Sequence, residues 1–147
     1  MIHVNISKIS RCPFLTRKKL KKMVAFILRR LDVTDGELSI VFASDAEIAK
    51  LNRVYRKKNV PTDVLSFSML EGKRLKNESA VLGDIVISVD RAKAQAKTFG
   101  TAFKMEMELY IIHGILHLFG YDDEEPKAQK RMRRKERELL ALLNNKF

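Results

Sequence analysis

The longest apolar-periodic stretch of this chain, Phe103 to Phe119, carries two histidines four residues apart and ends against Gly120. As a helix it stacks His113 and His117 on one face, where both imidazoles can reach a single ion. Gly120 tolerates the left-handed conformation that ends helices and lets the chain turn back. A carboxylate just beyond, at Asp123, can then close a three-ligand set. Three protein ligands plus water is how catalytic zinc is usually held, whereas structural zinc is closed by four. The chain has only three histidines among 147 residues, so a pair at this spacing is an uncommon coincidence. The competing reading is two core histidines satisfied by hydrogen bonds.

Around that helix the pattern alternates between period two and period 3.6. Ile2–Ser7 reads as an opening strand. Thr16 can cap a helix over Arg17–Leu31, with Leu20, Met23, Val24, Ile27 and Leu28 on its buried stripe. Glu37–Ala43 is a second strand, with Leu38, Ile40 and Phe42 on one face. Ser44-Asp-Ala-Glu47 is a capping box opening a helix through about Tyr55. Val64–Phe67 and Val81–Ile87 are two more strands, joined by a polar connection from Glu71 to Ser79. Ser88 or Asp90 can cap a helix to Phe99, punctuated by Gly100. After Pro126 a last helix runs to about Leu143. Mixed strands and helices without repeats or linkers indicate one domain over residues 1–147, a sheet packed by helices in the α/β or α+β class.

Charge bounds the partners. Lys and Arg number 29 against 18 for Asp and Glu, a net charge of +11. That excess favours polyanions through steering and counterion release, RNA or DNA first and a membrane surface second. The basic run Lys127–Arg137 is either a solvated helix face or an RNA-contacting one. No apolar stretch reaches eighteen residues, and the N-terminus lacks the order of a secretory signal. The lone Cys12 has no disulfide partner within the chain, fits a reducing cytoplasm, and reads as a packing residue.

An ion held by three ligands with a bound water is a Lewis acid that brings that water's pKa toward neutrality, which serves hydrolysis. Zinc peptidases of the His-Glu-x-x-His type place their general base directly after the first histidine. Here that position is Gly114; Glu106 and Glu108 lie upstream at the wrong offset. Peptide hydrolysis by the usual route is therefore disfavoured. Phosphodiester cleavage depends instead on neutralising phosphate charge with metal and guanidinium. The cationic candidates are Arg56, Lys57 and Lys58, where a helix end and basic loop lead through Pro61-Thr62-Asp63 into a strand. The bland reading of that cluster is an ordinary charged helix terminus.

Three motifs in order carry a family resemblance: Asn52-x-x-Tyr55-Arg56 with Pro61-Thr62-Asp63-Val-Leu-Ser66-Phe67; Leu82-Gly83-Asp84-Ile85; and His113-Gly114-x-Leu116-His117-Leu118-x-Gly120-Tyr121-Asp122. Over nearly its full length the chain resembles the YbeY-type rRNA maturation factors, metal-dependent endoribonucleases of bacteria. The resemblance implies an α+β, zincin-like fold with a mostly parallel four-stranded sheet packed by about five helices. It implies zinc-dependent cleavage of single-stranded RNA in maturing the 3′ end of small-subunit rRNA, in the cytoplasm. The implied partners are ribosomal RNA and small-subunit proteins, with no membrane. By position, His113 and His117 become the first two zinc ligands and Arg56 the catalytic arginine holding the phosphate, with Lys57 and Lys58 beside it. Gly83-Asp84 falls on a strand lining the site or supporting the histidine helix. The family pattern continues Gly-Tyr-Asp-His, whereas this chain has Asp123 in the third-ligand position. An aspartate there removes one positive charge from the complex, raises the bound water's pKa relative to three histidines, and admits manganese or magnesium. Asp122 is then a cap, an outer-shell group or a competing ligand. The alternatives to an endoribonuclease are a ribosome-associated RNA-binding factor with a structural or weakly held metal, and a metallopeptidase.

Overall fold

A computed structural model of the chain describes residues 1–56, 62–70, 81–122 and 124–146, with only the backbone of Arg56. The expected Glu71–Ser79 connection lies outside these residues. The element order is β1 (Ile2–Ser7), a short 3-10 turn (Ile9–Arg11), α1 (Arg17–Arg30), β2 (Gly36–Ala43), α2 (Asp45–Arg56), β3 (Val64–Ser68), β4 (Val81–Ser88), α3 (Val89–Phe99), α4 (Phe103–Leu118) and α5 (Pro126–Lys146).

The local signals act as their chemistry dictates. The Thr16 hydroxyl accepts from the Lys19 amide and starts α1. Ser44 and Glu47 exchange reciprocal hydrogen bonds, closing the capping box that opens α2. Ser88, rather than Asp90, caps α3 by accepting from the Arg91 amide.

The four strands pair in the order β1-β2-β4-β3. β1 and β2 are parallel, as are β2 and β4, while β3 runs antiparallel to β4 at the edge. The fold is thus α+β with a mixed four-stranded sheet, parallel at two of its three pairings and antiparallel at the third. The reason lies in the connections. A parallel crossover needs a dozen or more residues and usually a helix, whereas an antiparallel neighbour needs only a loop. The segment after β3 has no helical periodicity in its sequence, so β4 returns beside β3 in the opposite direction.

Period-two alternation separates the two faces of the sheet. Leu38, Ile40 and Phe42 of β2 and Ile85 and Ile87 of β4 enter the main core with α1, α3, α4 and α5. Ala43, Leu65 and Val86 point the other way and form a smaller cluster with Ile48 of α2. Helix α4 lies in the main layer and is apolar nearly all round, as a helix buried on most sides must be. Two serines of the edge strand fasten it. Ser66 and Ser68 donate to the carbonyls of Gly114 and Leu118, both at 3.0 Å. Two strand residues advance about 6.7 Å and four helix residues about 6.0 Å, so the two bonds stay in step. That match aligns β3 with the turns of α4 that carry the histidines.

Candidate active site

The site grows from the end of α4. The Gly120 amide bonds the carbonyl of His117 and the Tyr121 amide bonds that of Leu116, with Gly120 at φ 89°. This is the paired-bond helix ending that a glycine allows. It reverses the chain as expected and sends α5 back along α4. His113 and His117 therefore lie between β3 on one side and α5 on the other.

Their imidazoles converge, with the two Nε2 atoms 3.1 Å apart. The Nδ1 atom of His113 faces the other way and sits 2.5 Å from Oε1 of Glu136 on α5. An ionised carboxylate only accepts, so Nδ1 carries the proton and Nε2 of a neutral His113 presents its lone pair toward His117. Two ligands at about 2.0–2.1 Å from a tetrahedral ion stand roughly 3.3 Å apart. The spacing of the two nitrogens is close to that, so the pair fits two ligands of one ion.

In front of the histidines opens a polar cleft of about 370 Å³. Thr62, Asp63, Val64 and Ser66 from the start of β3 form one wall. His113 and His117 form the floor, and Tyr121, Asp122 and Glu124 the far rim. The backbone of Asp63 is anchored where its carbonyl accepts from the Ser88 amide at 2.8 Å, and its carboxylate accepts from Thr62 Oγ1. Asp122 acts as a local cap, its Oδ1 accepting from the Glu124 amide at 2.8 Å. One turn before His113, Tyr110 is buried beneath this wall. Burial raises its hydroxyl pKa above the usual phenol value, and the charges of Asp63 and Glu106 push it further.

Of the residues singled out in the sequence, His113 and His117 are brought together. Among the described residues no third His, Cys, Asp or Glu joins them in a three-ligand group. Asp123, Lys57, Lys58 and the Arg56 side chain lie outside the described residues, although the backbone of α2 does reach Arg56. Gly83 packs beneath α4 against Leu118 and so supports the histidine helix. Glu106 and Glu108 are buried away from the cleft. Glu106 accepts from Thr101 Oγ1, and desolvation pushes the carboxyl of Glu108 up. Cys12 is wholly buried, its thiol pushed up to about 11 by desolvation, as suits a packing residue.

Sequence reading missed Glu136, because a glutamate within a basic run looks like a solvated partner for its neighbours. Its register was the available signal. Met132, Leu139 and Leu143 are the buried residues of α5, and position 136 falls on the same stripe.

Comparison with known proteins agrees with this architecture. A model of the family described as Endoribonuclease YbeY matches residues 3–144. A protein of Pelotomaculum thermopropionicum named Endoribonuclease YbeY is 47% identical over 112 residues, covering 75% of this chain and 74% of that protein. One of the same name from Geobacter sulfurreducens is 44% identical over 138 residues, covering 92% and 91%. A solution structure from Thermotoga maritima superposes with a TM-score of 0.66 at 31% identity, covering 95% of this chain and 87% of that one. This chain belongs to the YbeY endoribonuclease family.

Proposed function

We propose that this protein is an endoribonuclease acting on single-stranded ribosomal RNA, with one divalent ion, zinc first, held by His113, His117 and Asp123. The observation that carries the reading is the convergence of the two Nε2 atoms to 3.1 Å on the floor of an open polar cleft. In a chain of this family, nitrogen donors converging beside an open cleft support a site that a scissile phosphodiester would enter. A divalent ion bound there supplies Lewis-acid charge at the phosphate and lowers the pKa of a coordinated water.

The chain's own residues supply the rest. Arg56 is the last residue of α2, and its guanidinium is assigned to hold a phosphate, bidentate as arginine binds oxyanions. Lys57 and Lys58, next in sequence, are assigned to add positive charge for the phosphate backbone. The Thr62 and Ser66 hydroxyls line the wall where a ribose or phosphate oxygen would pass. A net charge of +11 favours RNA on approach. No described helix is long and apolar enough to cross a membrane. The zincin-like relationship, the cytoplasmic location and contacts with small-subunit ribosomal proteins belong to the same proposal.

The test is cleavage of single-stranded RNA by purified protein, with and without chelator, beside His117→Ala. Metal-dependent turnover that the variant loses supports the reading. Equal residual cleavage in both proteins overturns it. Salt-sensitive RNA binding without any turnover favours an RNA-binding factor instead. Metal content after Asp123→Ala and Asp123→His tests the third ligand, and full occupancy in Asp123→Ala removes that assignment.

A further inference from the structure

Glu136 sits within the most basic stretch of the chain, next to Arg133, Arg134, Lys135 and Arg137, yet its carboxylate turns inward. Its side chain is only 12% exposed and lies 2.5 Å from Nδ1 of His113. The neighbouring Lys135 pairs with Glu138 at 3.6 Å instead. Burying a carboxylate costs free energy unless a donor satisfies it, and His113 is that donor. The two ring nitrogens of an imidazole lie on different edges. A carboxylate bonded to Nδ1 therefore stands on the far side of the ring from an ion at Nε2, and is not a ligand of that ion.

We infer that Glu136 is the positioning residue for His113. It keeps the proton on Nδ1, aims the Nε2 lone pair at the point shared with His117, and makes that nitrogen a stronger donor by placing a negative charge behind it. Partners of this kind typically change metal affinity by about 10–100-fold when removed. The assignment rests on the metal reading of the two histidines proposed above. It also gives α5 a task beyond packing, because the helix that carries the basic surface orients a cleft histidine.

The experiment has one arm without metal and one with it. Imidazole nitrogen-15 spectra of the metal-free protein at about pH 8 report which nitrogen carries the proton. Wild type should show His113 protonated on Nδ1, and Glu136→Ala should lose that preference. Retention of the Nδ1 proton in Glu136→Ala overturns the inference. Zinc affinity is then measured by chelator competition in wild type, Glu136→Ala, Glu136→Gln and His117→Ala. The expected order is a loss of about 10–100-fold in Glu136→Ala and a smaller loss in Glu136→Gln. The glutamine keeps an accepting oxygen and the tautomer but not the charge. His117→Ala should lose the most.

Graded loss in Glu136→Gln with the wild-type tautomer is a pattern that a merely structural contact would not produce. It also decides the matter if the alanine variant does not fold. If His117→Ala loses zinc while both Glu136 variants stay within twofold of wild type, the role of Glu136 is wrong and the metal reading stands. If wild type binds zinc no better than His117→Ala, both fall together.

Discussion

Gly114 of α4 lies so close to Ile85 of β4 that a Cβ at position 114 would stand 2.6 Å from Ile85 Cγ2, and 3.2 Å from Val64 Cγ1. The residue directly after the first histidine faces the sheet at a distance that only hydrogen fits. This gives the missing peptidase glutamate a physical cause. A side chain at that position would lift α4 from β3 and β4 and pull the histidines away from the cleft wall. Gly114→Ala measures the effect. Alanine gains about 1 kcal/mol in helix propensity, while forcing a methyl into a filled core costs about 1–3 kcal/mol. The expected outcome is a net loss of about 1 kcal/mol in denaturant unfolding, with zinc affinity falling alongside. A variant more stable than wild type would show that α4 can shift without cost.

Gly83 makes a sharper case. Its φ is +147°, and an added Cβ would meet the carbonyl oxygen of Phe67 at 2.3 Å and Leu118 Cδ2 at 2.8 Å. The pairing of β2 with β4 is irregular at this point, where Glu37 faces Val81 and Leu38 faces Gly83. A backbone carbonyl within a strand has no room to yield, unlike a flexible side-chain end. Gly83→Ala should therefore destabilise by more than Gly114→Ala, about 3 kcal/mol or beyond, from strain and clash together. Thermal unfolding of the two variants side by side checks the order.

Glu47 sets an acid limb to stability. Its carboxylate bonds Lys8 at 2.5 Å and Arg11 at 2.6 Å. The side chain of Lys8 first, then that of Arg11, lowers its pKa to about 2. The folded value lies below the unfolded value of about 4.3, so the contribution is complete above pH 4.3 and disappears as pH falls toward 2. The side chain is 36% exposed, so solvent screening limits the effect to about 0.5–1 kcal/mol. Glu47→Gln keeps an oxygen for the capping box and removes the charge. It should be less stable than wild type at pH 7 and converge with it near pH 2. A difference that stays constant across that window would mean the ion pairs contribute nothing. These pairs tie the turn after β1 to the start of α2, the helix whose last residue is Arg56.

Most of this architecture was readable from residue patterns because local chemistry and tertiary packing agree. Leu20, Met23, Val24, Ile27 and Leu28 are the buried stripe of α1, and the reciprocal bonds of Ser44 and Glu47 follow from their spacing. Strand direction was not readable in the same way, because it depends on what connects β3 to β4 rather than on either strand. In the site, the His113 and His117 pair was visible because helical spacing alone makes them neighbours. The Glu136 contact joins positions 23 residues apart, and only the reversal at Gly120 brings them together. The wall formed by Thr62, Asp63 and Ser66 was visible as a motif but not as a surface. Its placement depends on the serine bonds from β3 to α4.

The outer face of α5 tests how this protein meets its substrate. Lys127, Lys130, Arg131, Arg133, Arg134 and Arg137 are exposed along it, and Arg131 stacks over the ring of Tyr121 at the cleft rim, 5.4 Å from its centroid. The basic face is thus continuous with the edge of the candidate active site. If it binds RNA, each neutralised phosphate adds about 0.7 to the slope of log affinity against log salt for a single strand. Replacing Lys130, Arg133, Arg134 and Arg137 with alanine should weaken RNA binding about equally across sequences. It should also flatten that slope by about 0.7 for every phosphate no longer neutralised. Folding stability should change little, because exposed charges away from caps and cores contribute within about 0.5 kcal/mol. An unchanged slope would make this run a solvated helix face.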